Sequence, residues 1–174
     1  MKSAAPMPLA ELNALGRAAF VAALAEVFEH SPWVAELVAP ERPFASVSEL
    51  HAAMVDAVAG AGIARQMALL RAHPELAGQA AVRGELTPES TREQAGAGLA
   101  HCTPDEFARL QQLNRAYSDK FGFPFIVAVK GLDRAAIIAR CAERLASDRA
   151  AEIHTALDQV ARIARFRLEA MISG

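Results

Sequence analysis

The run RAHPELAGQA, residues 71–80, places a histidine directly before a proline where a helical pattern stops. Proline disfavours helical geometry in the residue before it, so His73 falls at a helix C-terminus with its backbone restricted by Pro74. The negative end of a helix favours the imidazolium form and holds a histidine near its switching range. That suits acid/base work at a pocket rim; the plain alternative is a His-Pro helix stop with a solvated ring. A second cluster follows in PESTREQAGAGL, where Ser90, Glu93 and Gln94 stand three and four residues apart on one helical face. The small residues after them, AGAG, lower helix propensity. A polar patch beside small residues suits a ligand that approaches closely, or close helix packing. The bland reading is an exposed helix start with Ser90 and Glu93 as a capping box.

Two further features carry chemical potential. FGFPFIVAVKG, residues 121–131, is the one β-like segment of the chain, and it reads as an extended apolar connector that buries its phenylalanines; FPFIVAV, residues 123–129, is its centre. An extended segment leaves backbone N–H and C=O groups without helical partners. A planar heterocycle with amide-like edges has the groups to take those bonds. Near the C-terminus, Arg162, Arg165 and Arg167 line one long helix. Most arginines on such a helix are solvated, but Arg167, if turned inward, has the fork geometry to clamp a carboxylate with two parallel hydrogen bonds. The other histidines, His30, His51, His101 and His154, read as helix-end or surface residues. None forms an HExxH or HxxxH pair, and no Cys/His cluster has zinc spacing, so no metal site is expected. Cys102 and Cys141 lie far apart without a CxxC pattern and read as reduced, structural thiols.

The elements that must position these residues are helices. Apolar residues at three-and-four spacing predict a helix over residues 9–28, and Ser31 with Pro32 reads as cap and first-turn proline for a short helix over residues 33–39. Ser46 and Glu49 resemble a capping box opening a helix to about residue 59. Residues 63–72 form the next helix, and residues 77–88 read as irregular. Pro88 sits near the start of a helix running toward Leu99. Thr103, Pro104 and Glu106 form a cap, a first-turn proline and a capping-box acid, opening a helix that ends near Phe121 and Gly122. Residues 133–145 and a long last helix from Ser147 and Asp148 to Met171 complete the pattern. The expectation is one all-α domain over residues 1–174, of about seven to nine helices with one short extended connector and residues 1–8 flexible.

Composition narrows the function classes. The chain has 174 residues, enough for one sizeable core, and 53% are hydrophobic, many of them alanine, so helices must pack through small faces. A net charge of -2 with 22% charged residues gives no basic stripe for nucleic acid. No apolar run approaches the roughly 20 residues that span a bilayer. MKSAAPMPLA has no apolar core of signal-peptide length, and the C-terminal ISG is not a peroxisomal address, so a cytoplasmic protein is expected.

EHSPWVAE, RPF, HPELAG, SxxEQAGAGL, LNRAYSDKFGFPFIVAVKG, the RL at 144–145 and RIARFRL together resemble the OHCU (2-oxo-4-hydroxy-4-carboxy-5-ureidoimidazoline) decarboxylase family of urate breakdown. The similarity runs over residues 9–168 with the motifs in order. The resemblance implies an all-α, cofactor-free enzyme, usually a homodimer, that acts on a small molecule and yields (S)-allantoin and CO2. It implies His73 as general acid/base, with Glu93 assisting proton transfer. It implies Pro74, Ser90 and Gln94 as substrate contacts. The backbone of Phe125, Ile126, Val127, Ala128 and Val129 would bond the substrate, and Arg167 would anchor its carboxylate. Two alternatives stay open: a related helical enzyme acting on another ureido or imidazoline substrate, and a non-catalytic helical interaction module.

Overall fold

The computed structural model describes residues 5–174, apart from the side chain of Ala80. The described residues are all-α: ten α-helices, two short 3-10 turns and one two-residue strand pair. The helices are α1 (Leu9–Ala14), α2 (Arg17–Leu24), α3 (Trp33–Val38), α4 (Val47–Gly60) and α5 (Ile63–Ala72), then α6 (Gln79–Arg83), α7 (Pro88–Gly96), α8 (Pro104–Phe121), α9 (Arg134–Arg144) and α10 (Arg149–Met171). The chain's contacts group into two units, residues 1–69 with 161–174, and Leu70–Val160.

In the first unit, strand β1 (Met7–Pro8) pairs in parallel with β2 (Ile172–Ser173). Residues 1–4 of the segment expected to be flexible lie outside the described residues. The single helix expected over residues 9–28 is two helices. Leu15 and Gly16 are extended, and the Arg42 guanidinium donates to the Leu15 carbonyl at 2.5 Å while lying 4.6 Å over the Phe20 ring. A contact 27 residues away thus takes a carbonyl that helix continuation would have used, at a glycine where helix propensity is lowest. Asn13 pins the next turn by bonding both the N–H and the C=O of Phe44 at 2.9 Å. Ser31 does not cap α3; its hydroxyl donates to the Glu29 carbonyl. Ser46 caps α4 as expected, accepting from the Glu49 N–H at 3.0 Å. The core here is Leu12, Phe20, Leu24, Val34, Leu50 and Met54.

In the second unit, α8 is the central element, with Leu110, Leu113, Tyr117 and Phe121 on its buried face. The Thr103 hydroxyl and the Glu106 carboxylate complete the expected capping box. The Thr103 N–H bond holds the Glu106 carboxyl below its usual range, aided by Arg134 at 2.9 Å. This contribution is therefore present above the ordinary carboxylate pKa and is lost as pH falls below it. Gly122 ends α8 in the left-handed region, φ 80°, as the sequence predicts. Residues 77–88 are not irregular throughout, because Gly78 lets a short helix, α6, start immediately. A Cβ at Gly78 would lie 2.6 Å from the Glu75 Cβ, so only glycine closes the turn that precedes α6. Cys141 is fully buried, which pushes its thiol up to about 11, and both cysteines are free thiols. Helix α9 is capped by the Asp133 carboxylate, which accepts from the Ala136 N–H at 2.8 Å. Asp133→Ala is expected to lower the unfolding free energy by about 1 kcal/mol, read as a lower midpoint at unchanged slope in urea unfolding.

Candidate functional site

Helix α5 ends where the proline requires, and the His73 N–H closes its last turn on the Leu70 carbonyl at 3.3 Å. His73 is 8% exposed, so it is not the solvated ring of the plain helix stop. Three of the residues after it, Glu75, Leu76 and Ala77, are held by side-chain amides. The Gln94 amide donates to the Glu75 carbonyl at 3.4 Å and accepts from the Ala77 N–H at 2.9 Å. Asn114 donates to the Leu76 carbonyl at 3.0 Å, and Gln111 to the Ala77 carbonyl at 2.8 Å. Ala77 has φ 51°, a backbone conformation that a residue with a Cβ adopts only when its surroundings hold it there. Leu76 is a core anchor, and Glu75 is half-buried with its carboxylate facing the Ser118 hydroxyl.

The SxxEQ cluster sits on α7. The cap of this helix is Thr87, whose hydroxyl accepts from the Ser90 N–H, so Ser90 and Glu93 are not the capping box of the bland reading. Ser90 and Gln94 are buried at 4% and 5% exposure, and Glu93 is half-buried. Through Gln94, the helix that carries Ser90 and Glu93 is tied to the loop that carries His73. The two motifs that the sequence singled out, with His73 17 to 21 residues before Ser90, Glu93 and Gln94, are therefore joined through one amide.

Residues 122–133 form the extended connector. Phe123, Phe125, Ile126 and Val127 are buried, and Tyr117 packs against Phe121, Phe123 and Phe125 with centroids 4.6–5.8 Å apart. Part of its backbone is already engaged. Arg144 donates to the Ile126 carbonyl at 2.7 Å, the Ala128 N–H donates to Gln159 at 3.0 Å, and Leu132 closes a turn on Val129. Among the described residues, the N–H groups of Phe125, Ile126, Val127 and Val129 have no protein acceptor, and within residues 125–129 only that of Ala128 is engaged. Arg144 is itself fixed by Glu152 at 2.5 Å and lies 4.7 Å over the Phe125 ring. The Tyr117 hydroxyl donates to the same carboxylate. Burial, together with that bond, drives the phenol well above its ordinary range, so Tyr117 stays protonated as a donor.

The three arginines of α10 in the first unit separate as the sequence reading allowed. Arg162 is exposed, and Arg165 bonds Glu169 and Ser48. Arg167 is turned inward at 4% exposure, and one of its terminal nitrogens lies 2.8 Å from both the Glu29 carboxylate and the Glu26 carbonyl. Sequence reasoning did not single out Glu29, Gln111, Asn114 or Glu152. Glu29 carried one signal, an acid at the end of the apolar run VFEHSPW. The other three are ordinary polar residues on helices, and nothing in their spacing marks them.

A cavity of about 510 Å³ opens beside the same loop, lined by Ala77, Leu86, Gln94, Leu99, Cys102 and Phe107 among others. It is apolar, and His73, Ser90 and Glu93 are not in its wall, so the chemistry argues for the loop and α7 rather than this cavity as the site. Among the described residues, no three His, Cys, Asp or Glu side chains gather to hold a metal ion. Among the described residues, no single helix is long and apolar enough to cross a membrane.

The sequence model described as OHCU decarboxylase matches residues 13–169. The chain belongs to the OHCU decarboxylase family. A 2-oxo-4-hydroxy-4-carboxy-5-ureidoimidazoline decarboxylase of Haloferax volcanii is 43% identical over 162 residues, covering 93% of this chain and 94% of that protein. A uric acid degradation bifunctional protein of Bacillus subtilis is 39% identical over 163 residues, 94% of this chain but 32% of its own length. The crystal structure of an (S)-allantoin synthase aligns with a TM-score of 0.79 at 29% identity, covering 97% of this chain and 54% of that one. This chain therefore spans about half of that structure's chain. The matched region contains every residue of the constellation built above, from His73 to Gln159, and Arg167 as well.

In this OHCU decarboxylase family member, Arg144 and Glu152 are the buried charge pair behind the connector. Arg144→Met leaves Glu152 buried without its partner and is expected to cost about 3–5 kcal/mol. Arg144→Met with Glu152→Leu is expected to cost less than the single change. Urea unfolding of both variants checks the order.

Proposed function

We propose that this chain removes CO2 from 2-oxo-4-hydroxy-4-carboxy-5-ureidoimidazoline and gives (S)-allantoin in urate breakdown, with His73 as general acid/base. The observation that carries the reading is the amide of Gln94, which ties the His73 loop to the helix bearing Ser90 and Glu93 in a chain of this family. The coarser conclusion, a decarboxylase of small-molecule catabolism, rests on family membership and on relatives at this identity.

The chemistry suits these residues. The substrate carries a carboxylate and a hydroxyl on one ring carbon, next to a C=N carbon that bears the ureido group. When the carbon–carboxylate bond breaks, its electron pair forms a C=C bond to the neighbouring carbon, the C=N π pair moves onto the nitrogen, and the nitrogen takes a proton. The imine is itself the electron sink. The enol that remains loses its hydroxyl proton to become the carbonyl, and the neighbouring carbon takes a proton on one face. The net change is loss of CO2 and uptake of one proton. His73 with Glu93 manages the hydroxyl proton, since two adjacent titratable groups pass a proton near neutral pH and such help is typically worth about 10²–10⁴-fold. Pro74 contacts the ring, and Ser90 and Gln94 bond its polar edges. The N–H groups of Ile126 and Val127, within the edge that also includes Phe125, Ala128 and Val129, supply donors for the lactam and ureido oxygens. Arg167, held by Glu29, is the carboxylate anchor by its own chemistry. The proposal extends to a homodimer at work in the cytoplasm; sedimentation of the purified protein checks the dimer.

Freshly generated substrate is expected to give optically active allantoin with the purified protein. Racemic allantoin formed at the buffer rate defeats the reading. His73→Ala is expected to lose about 100-fold or more in turnover with an unchanged circular dichroism spectrum; near wild-type kcat in that variant refutes the acid/base role. Arg167→Lys is expected to raise KM through loss of bidentate contact, and an unchanged KM in steady-state kinetics argues against the anchor.

A further inference from the structure

We propose that Gln111 and Asn114 are positioning residues for His73, acting through the backbone of the loop that follows it. The proposal rests on the acid/base reading of His73. Three successive carbonyls, those of Glu75, Leu76 and Ala77, each accept from a different side-chain amide, of Gln94, Asn114 and Gln111 in turn. Two of the three amides come from one helix, α8, three residues apart and so on one face. Asn114 is 1% exposed, and the Leu76 carbonyl sets the orientation of its amide, because the flipped amide would bring oxygen against oxygen. That orientation leaves the Asn114 carbonyl oxygen buried without a partner. A side chain that accepts such a loss for the sake of one bond to the loop is placed for that bond.

The clamp reaches His73 through few soft torsions. Upstream, the His73 N–H is fixed on the Leu70 carbonyl of α5. Downstream, Pro74 has its φ locked by its ring, and one peptide further on the Glu75 carbonyl is held by Gln94. The imidazole is therefore mounted between the end of α5 and a loop held at three successive carbonyls. The strained Ala77 conformation, φ 51°, needs the same restraint. The donors are neutral. An amide bonds a carbonyl without adding charge near the imidazole, where a lysine or arginine in the same place would disfavour its protonated form.

Steady-state kinetics on Gln111→Met, Asn114→Leu, His73→Ala and the Gln111→Met/His73→Ala pair test this. Gln111 is half-buried, so its variant is expected to fold, and circular dichroism checks it. Gln111→Met is expected to lower kcat by about 10- to 100-fold with KM within about twofold, the size of effect a misplacement near 1 Å produces. A group that acts only through His73 adds nothing once His73 is gone, so the paired variant is expected to be no slower than His73→Ala alone. Wild-type kcat in Gln111→Met, or a loss that multiplies fully onto that of His73→Ala, overturns the positioning role. Asn114→Leu is expected to behave as Gln111→Met does; where it fails to fold, Gln111→Met decides. An inactive wild-type protein or an active His73→Ala variant instead defeats the reading of the site. His73-dependent turnover with a fully active Gln111→Met defeats only the positioning role.

Discussion

Backbone that leaves a helix but stays buried must find hydrogen-bond partners, and the second unit is organised around that constraint. A proline at position 74 ends α5 and a proline at position 124 keeps the connector extended. Both segments nevertheless stay among buried side chains. Their carbonyls cannot bond to one another as in a sheet, so side chains from neighbouring helices serve them. The His73 loop takes neutral amides from α7 and α8; the connector's Ile126 carbonyl takes the Arg144 guanidinium from α9, and its Ala128 N–H donates to the Gln159 amide oxygen on α10. The elements that surround the site are the ones that supply these bonds. Helix packing and site geometry are thus two results of the same requirement.

The choice of donor differs for an electrostatic reason. A guanidinium behind Ile126 brings a buried charge, and the protein answers with Glu152 on the same guanidinium and the Tyr117 hydroxyl on the same carboxylate. The cluster ties α8, α9 and α10 behind the connector, and removing Arg144 or Glu152 alone leaves the other's charge uncompensated. Arg167 in the first unit follows the same logic with Glu29. Its exposure of 4% would be untenable for an isolated cation, and the acid that matches it also fixes which way its planar fork faces. In the loop after His73 the donors are neutral amides, which bring no charge with them.

The surroundings of the helix stop set it apart from a plain one. A histidine that merely ended a helix would be solvated. This one is covered, mounted on a restrained loop, and joined through Gln94 to the helix that presents Ser90 and Glu93. The decarboxylation proposed for it needs little covalent machinery from the protein, since the substrate's imine accepts the electrons. What the protein must supply is position: a held carboxylate, a proton route and one face for protonation.

Local chemistry decides whatever a few neighbouring residues decide. The all-α class, the end of α5 at His73, the Thr103 capping box and the glycine stop after Phe121 all follow from propensities and caps that act within one or two turns. The ordered motifs carried the family. The break between α1 and α2 did not follow from local signals, because Arg42 takes the Leu15 carbonyl from 27 residues away. Helix α6 depended on how tightly Gly78 closes against Glu75. The roles of Gln111, Asn114 and Glu152 were invisible for the same reason: an amide or a carboxylate on a helix looks solvated until the carbonyl or guanidinium it serves is brought to it. Hydrogen bonds between residues 17 to 38 positions apart have no periodicity to read, so only the tertiary structure could say that the histidine is held, and by what.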